Sequence, residues 1–368
     1  MQSFFCDCGN RLFFENSECL HCRREVGWCP NCATLTAMTE TGSGTHCARC
    51  DTALLKCANR VTHDICNRST VRPPGVEPAA HPLCDCCRYN ETIPDLSVPG
   101  NLEHWLYLEQ AKRRLIFGLD TIGLPHGATA DGFDPGLSFD FKGDVPVRKG
   151  LWRMVHTHEP VYTGHAGGKI TINIREADAV EREKLRVDLG EGHRTLIGHF
   201  RHEIGHYYWD LLISGDADNL AGFRALFGDH ENPDYGEALE RHYANGPPDD
   251  WQESYISSYA TMHPWEDWAE TFAFYLDVVD VMETATAYGL SVQETTDDLE
   301  GLLAAYTGLG ILLNELNRGM GLIDFLPELV VPDVIEKLHF VHDVVSAAAR
   351  VGETGGASGP AVIKAMDC

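Results

Sequence analysis

The chain has 368 residues, with 55 acidic and 29 basic side chains, a formal charge of -26, 43% hydrophobic residues and 14 cysteines. This length fits two or three domains, and the hydrophobic content excludes a chain that is disordered throughout. The acidic excess argues against a nucleic-acid-binding protein, because affinity for phosphate backbones comes largely from Lys and Arg.

Export and membrane signals are missing from the sequence. No stretch reaches the roughly 18 uncharged apolar residues that a membrane helix needs. The first ten residues, MQSFFCDCGN, lack the basic and then apolar pattern of a signal peptide. We therefore expect a cytoplasmic protein that does not interact with membranes.

The cysteines are concentrated at the N-terminal end, where thirteen of the 14 lie between Cys6 and Cys87. Closely paired cysteines in a chain without an export signal are more typical of metal ligands than of disulfides. Two pairs that meet across a short hairpin can close a tetrahedral zinc site. The first predicted site consists of Cys6, Cys8, Cys19 and Cys22, and the second of Cys29, Cys32, Cys47 and Cys50.

A third zinc site is predicted less directly, because only one of its pairs has CxxC spacing. Its ligands would be Cys57, Cys66, Cys84 and Cys87, with Cys86 or His63 as a substitute for one of them. The sequence thus predicts a zinc-ribbon domain over residues 1–95 with two or three structural zinc ions. Four thiolates leave no open position for catalysis, so these ions would fold the domain, and its surface would recognise a substrate or partner.

A domain boundary is predicted at IPDLSVPGN, residues 93–101, where Pro and Gly interrupt the chain. The following segment has apolar residues at helical spacing and begins at Asn101, a good helix cap. The alternating sequence KITINI, residues 169–174, predicts a half-buried strand at or near a sheet edge. Further helices are predicted over residues 177–186, 195–213, 265–282, 299–313 and 332–350, before a flexible tail over residues 351–368.

The strongest functional motif is HExxH, formed by His202, Glu203 and His206. Histidines four residues apart project from one face of a helix, so both imidazoles can reach one Zn²⁺. The glutamate then lies beside the metal and can act as the general base on its water. The motif therefore predicts one catalytic zinc ion in addition to the structural ones.

A catalytic zinc ion needs a third protein ligand, which we expect downstream in HPWEDWAETFAFYLD. Glu270 is followed by Thr, Phe, Ala and Phe, and a carboxylate in such an apolar helix is costly to bury unless it binds a cation. Glu270 is therefore the predicted ligand, and Glu266, His263 and Asp267 are the alternatives. The candidates for an oxyanion donor are Tyr207, Tyr208, Tyr255, Tyr259 and His263.

These motifs resemble those of the bacterial zinc-binding metallopeptidases that carry an N-terminal zinc ribbon. The resemblance rests on FFCDCGNRLFFENSECLHC, GHAGGKITINIREAD, GHFRHEIGHYYW and HPWEDWAETFAFYLD, and the HExxH helix and downstream glutamate also resemble the gluzincins. It implies an α+β fold, in which a zincin-like, mainly helical domain with a small sheet spans residues 101–350. It also implies that His202 and His206 are zinc ligands, Glu203 is the base and Glu270 is the third ligand. The chain departs from the gluzincin pattern at Phe274, where an Asp is expected.

We therefore expect a zinc-dependent peptidase whose ribbon recruits a polypeptide substrate or protein partner. The first alternative is a non-catalytic zinc-ribbon adaptor, in which the HExxH domain binds metal or peptide without turnover. The second is a metal-dependent hydrolase of non-peptide amides. The sequence does not predict the oligomeric state.

Overall fold

The computed structural model describes residues 1–143, 145–146, 158–159, 161, 163–188, 195–290, 298–326 and 330–354. The chain forms two compact units. The ribbon unit contains Ser3–Thr121 and His126–Phe200, whereas the helical unit contains Met1–Gln2, Ile122–Pro125 and the described residues from Arg201 onward.

The described strands all belong to the ribbon unit. They are β1 (Phe4–Phe5), β2 (Arg11–Leu12), β3 (Val26–Cys29), β4 (Thr34–Thr41), β5 (Gly44–Cys47), β6 (Leu54–Lys56), β7 (Ser69–Val71), β8 (Asn90–Thr92), β9 (Ser138–Lys142), β10 (Val145–Pro146), β11 (His158–Glu159), β12 (Gly164–Ala166) and β13 (Lys169–Asn173). The N-terminal strands pair as β1–β2, as the antiparallel sheet β3–β4–β5 and as β6–β7, and β10 pairs with β11.

The largest described sheet has the strand order β12–β13–β9–β8. Its second strand, β13, pairs antiparallel with β12 and parallel with β9, so the alternating sequence lies next to an edge as predicted. Ile170 and Ile172 are fully buried, which explains the alternation of Ile with polar residues.

The described helices include one for each predicted helical segment. They are α1 (Ala58–His63), α2 (Asn101–Ile122), α3 (Ala179–Asp188), α4 (Leu196–Tyr208), α5 (Ala217–Phe227), α6 (Tyr235–Asn245), α7 (Pro264–Ala287), α8 (Leu299–Gly319) and α9 (Pro332–Thr354). Among the described residues, no helix is both long and apolar enough to cross a bilayer. The mixture of helices and a small sheet agrees with the predicted α+β class.

Several helix ends differ from the prediction for identifiable reasons. Helix α4 ends at Tyr208, and Trp209–Ile213 continues as a π-helical turn. Helix α7 begins at Pro264, which suits a first helical position, and His263 caps it by accepting a hydrogen bond from the Trp265 amide. Helix α9 continues to Thr354, so the first residues of the predicted tail are helical, and the rest of the tail lies outside the described residues.

The two compact units do not divide at the Pro- and Gly-rich segment before helix α2, because α2 packs against the cysteine-rich segment. The Phe117 ring lies 5.3 Å from Phe14 and 5.7 Å from Trp28, between ring centroids. The Arg113 guanidinium donates a 2.6 Å hydrogen bond to the carbonyl of Ile65. The Pro- and Gly-rich segment before α2 is therefore a turn within the ribbon unit.

Helices α4 and α7 approach each other closely at Gly205. A Cβ atom at Gly205 would lie 3.0 Å from the Cα of Ala269 and 3.4 Å from the Cβ of Phe272. The Trp268 indole also donates a 2.8 Å hydrogen bond to the Gly205 carbonyl. This close approach, which only small residues permit, holds the HExxH helix against the helix that carries the candidate third ligands.

Replacing Phe117 with Ala should lower the free energy of unfolding of the ribbon unit by about 3–5 kcal/mol, because it removes a buried ring from a well-packed cluster. The matched control is Leu102→Ala in the same helix, since Leu102 is 44% exposed. Urea unfolding, followed by zinc release from the cysteine sites to a chromogenic chelator, measures the difference. Equal unfolding midpoints for the two variants would contradict the proposed packing of α2.

Candidate metal centres

Three groups of four cysteines come together in the ribbon unit, and they are the three predicted sets. Within each group, the sulfur atoms all lie within 4.8 Å of one another. The closest pairs are 3.6–3.8 Å apart, as between Cys6 and Cys22 or between Cys66 and Cys84. A tetrahedron with Zn–S bonds of about 2.3 Å has edges of about 3.8 Å, so the spacing fits zinc and is far longer than a disulfide bond.

The third group, Cys57, Cys66, Cys84 and Cys87, is buried on all sides. The two alternatives considered for it do not join it: the His63 ring packs 5.4 Å from Trp105, and Cys86 lies outside the group. A zinc ion with four thiolates carries a net negative charge, and cationic side chains are nearby. The positive charge of Arg113 contributes to a Cys66 pKa well below the usual value, after hydrogen bonds from the neighbouring thiols.

The HExxH histidines meet a carboxylate of helix α7. The Nε2 atoms of His202 and His206 are 3.2 Å apart. The Oε2 atom of Glu266 lies 3.0 Å from the first and 3.5 Å from the second. Zinc bonds of about 2.0–2.1 Å in a tetrahedral site separate the ligand atoms by about 3.4 Å. The three atoms therefore converge as three ligands of one small divalent cation do.

Glu270, the predicted third ligand, lies on the other side of His202 and outside this group of atoms. Its Oε1 atom is 2.6 Å from Nδ1 of His202, the nitrogen that faces away from His206 and Glu266. If His202 binds an ion through Nε2, Glu270 lies at the opposite nitrogen of the ring, Nδ1. It is then too far from the ion to be a ligand of it. The structure thus places Glu266 with the two Nε2 atoms, and Glu270 as a hydrogen-bond partner of His202.

The two remaining ligand candidates have other roles. Asp267 forms a buried ion pair with Lys337, at 2.7 Å. Burial raises the pKa of Asp267 to about 6, although Lys337 acts in the opposite direction. His263 is the N-cap of α7. Neither residue is grouped with His202 and His206.

Polar residues that the sequence analysis did not single out surround the two glutamates. The Tyr235 hydroxyl donates a 2.8 Å hydrogen bond to Oε1 of Glu266, the oxygen that faces away from the histidines. The pKa of Glu270 is lowered, against the effect of its burial, mainly by His202 and further by Ser257. Tyr235 begins helix α6, which was not predicted, although Asp234 is a usable cap signal for that helix.

The predicted candidates for an oxyanion donor differ in the contacts that they make. Tyr208 is fully buried and donates to the Pro125 carbonyl, and the Lys337 ammonium lies over the Tyr255 ring. The Tyr259 ring centroid is 6.0 Å from that of His202, and its hydroxyl interacts with Tyr235. Of the predicted candidates, Tyr259 is thus the tyrosine whose ring contacts a histidine of the motif.

The pKa values of the histidines and glutamates at this centre depend strongly on one another. Burial disfavours a proton on His202, but the hydrogen bonds and charges of Glu266 and Glu270 dominate and raise its pKa well above the usual value. Burial alone would raise the pKa of Glu266, but the two histidines lower it well below the usual range. Both directions show that a positive charge between the glutamates and imidazoles, from a proton or a metal ion, is electrostatically favourable.

Glu203 and Trp265 complete the surroundings of the histidines. Glu203 is 7% exposed, and the pKa of Tyr235 is raised mainly by burial, then by the charge of Glu266 and to a smaller extent by that of Glu203. The Trp265 ring centroid lies 3.9 Å from that of His206, at an interplanar angle of 38°. The ring therefore covers one side of His206 and restricts its rotation.

Comparison with known proteins agrees with both kinds of centre. A family model described as "Putative zinc-binding metallo-peptidase" matches residues 101–344, and a zinc-ribbon domain model matches residues 3–98. Uncharacterized proteins of Mycobacterium tuberculosis and Mycobacterium bovis are each 38% identical over 358 residues, covering 95% of this chain and 96% of the relative. No solved structure matches the chain significantly. The chain therefore belongs to this metallo-peptidase family and carries its zinc ribbon at the N-terminus.

Proposed function

We propose that the protein is a zinc-dependent peptidase of the HExxH type, with a zincin-like catalytic domain, in which His202, His206 and Glu266 hold the catalytic ion. The observation that carries the proposal is the convergence of three ligand atoms at mutual distances of 3.0–3.5 Å. Three protein ligands leave a fourth position for water or substrate, which is typical of catalytic rather than structural zinc sites.

The chemistry would be divided between the ion and Glu203. A zinc ion in such a site polarises a carbonyl group and acidifies a water molecule. The Glu203 carboxylate would accept the proton of the attacking water and pass it to the leaving amine. Its burial supports this role, because a partly desolvated carboxylate is a stronger base than one in bulk water.

Glu270 would act on the ion indirectly, through His202. A carboxylate on Nδ1 fixes the proton of the neutral imidazole there and directs the Nε2 lone pair into the site. Tyr235 would fix the orientation of Glu266 in the same way, through Oε1. The substrate would be a polypeptide segment, and the ribbon, with its three structural zinc sites, would recognise the substrate or a protein partner.

Replacing Glu203 with Gln should abolish peptide hydrolysis while leaving the catalytic ion bound, because the amide keeps the shape of the side chain but cannot accept the proton. Peptide cleavage and zinc content are measured on the same preparation, by the appearance of new N-termini and by atomic emission. Unchanged cleavage would exclude Glu203 as the base. A wild-type protein that binds the ion and cleaves neither proteins nor small amides would instead match the adaptor alternative.

Replacing Glu266 and Glu270 with glutamine, one at a time, should show which of them is the metal ligand and which only positions His202. Glu266→Gln should remove the catalytic ion, because it eliminates an anionic ligand. Glu270→Gln should weaken zinc binding by only about 10–100-fold, the usual effect of losing a hydrogen-bond partner of a ligand histidine. Competition with a chelator measures both affinities.

The cysteine sites serve as the internal control in both glutamate variants, since they should keep their zinc. Tyr235→Phe is the matched control for indirect effects on Glu266, because it removes the hydrogen bond to Oε1 and leaves all three ligands in place. If Glu270→Gln empties the site and Glu266→Gln does not, the ligand assignment is reversed.

A further inference from the structure

Helix α8 carries large apolar side chains both on an inner face, which is packed, and on an outer surface that stays exposed. The inner face packs into the helical unit, where the Tyr306 ring lies 5.7 Å from that of Phe274 on α7. The outer face carries large apolar side chains that remain about half or more exposed: Ile311 48%, Leu312 52%, Leu316 57% and Met320 68%. Several large apolar side chains exposed together on one helix are typical of a surface that contacts a partner.

The segment after α8 extends this apolar surface. It folds back along the end of the helix, held by hydrogen bonds from the Leu322 amide to the Asn317 carbonyl and from the Phe325 amide to the Asn314 side chain. Its three large apolar side chains are exposed: Leu322 56%, Ile323 63% and Phe325 54%. Together with the four residues of the helix, they form one surface, called here the α8 patch.

The Arg318 guanidinium within the α8 patch is paired with two carboxylates, so these three groups together carry a formal charge of -1. Arg318 forms ion pairs with Asp324, at 2.5 Å, and with Glu315, at 2.6 Å. Burying this surface would keep each of these groups next to an opposite charge, while the unbalanced negative charge of each copy would add to the repulsion between copies.

The size of the α8 patch suits a stable interface. Seven side chains that keep about half or more of their area present roughly 700–800 Å² of apolar surface, more than the ~300–600 Å² of the largest patch on a typical monomer. A standard interface buries about 800 Å² on each partner, so the patch alone approaches what one copy contributes to a stable dimer.

The shape of α8 points to a second copy of the chain as the partner. Ala304, Gly308, Leu312, Leu316 and Met320 follow one another at four-residue intervals, and all five are exposed. The side chains of this row are small at its N-terminal end and large at its C-terminal end. Among the described residues, nothing lies within 4 Å of a Cβ atom built at Gly308, so this position forms an open notch.

A two-fold axis makes such a row complementary to itself. If two α8 helices pack antiparallel with the axis at Leu312, Gly308 of each copy lies opposite Leu316 of the other. Each large side chain then fills the notch of the other helix, as a closed symmetric interface requires. We propose that the protein forms a homodimer through the α8 patch, with antiparallel α8 helices that cross near Leu312.

The charge of the chain gives this dimer a recognisable salt dependence. Each copy carries a formal charge of -26, so two copies repel each other. Salt screens that repulsion and leaves apolar contacts intact, so association should strengthen as ionic strength rises. A basic protein partner on the same patch would show the opposite dependence.

The test is sedimentation of the full-length, zinc-loaded protein over a wide range of concentration and at two salt concentrations. The wild type should be a dimer at high concentration. Leu316→Lys should weaken dimerisation by about a hundredfold or more, since the substitution occurs twice in each interface. Val180→Lys is the matched control, because Val180 is 63% exposed on a different helix, and it should have no effect.

Exchanging a small and a large side chain between positions 308 and 316 tests the antiparallel, two-fold packing of the α8 helices. Gly308→Leu should weaken dimerisation by filling the notch, without disturbing the exposed helix. Combining it with Leu316→Ala in the same chain should restore dimerisation, because large and small side chains then face each other again. A wild type that is monomeric at all concentrations, or a dimer unaffected by Leu316→Lys and Gly308→Leu, would overturn the proposal. None of these readouts depends on peptidase activity, so they are independent of the proposed function.

Discussion

The close contact between helices α4 and α7 is the constraint on which the candidate catalytic centre depends. The HExxH motif supplies two imidazoles on one helix, but the carboxylate that joins them comes from another. Gly205 and Ala269 are small enough to let the two backbones approach, and the Trp268 indole links them by a hydrogen bond. Without that approach, Glu266 could not reach within 3.0 Å of His202, and the motif would hold only two ligands.

The two histidines and most of the cysteines that come together could be predicted from the sequence, because their spacing is local. Histidines four residues apart on a helix, and cysteine pairs in tight turns, are fixed by the geometry of one element. The twelve cysteines of the three groups were identified in this way, and the structure brings each set of four together. The separation of the chain into compact units could not be read in the same manner, since it depends on how α2 packs against residues distant in sequence.

The choice between Glu266 and Glu270 shows where sequence reasoning fails. The two residues are one turn apart on α7, so both project from a similar face. The apolar residues that follow Glu270 suggested that it was the more deeply buried, but its side chain is 26% exposed, whereas that of Glu266 is 2% exposed. The burial of each depends on the angle at which α4 crosses α7, and no local pattern encodes that angle.

The position of Glu270 has one more consequence, which concerns charge balance. Glu266 and Glu270 together carry two negative charges, and a divalent zinc ion carries two positive ones. With both imidazoles neutral, the centre formed by these five groups has no net charge, so it can be enclosed by protein at little electrostatic cost. Glu203, which follows His202 on α4 and is 7% exposed, then lies beside a cluster that carries no net charge of its own.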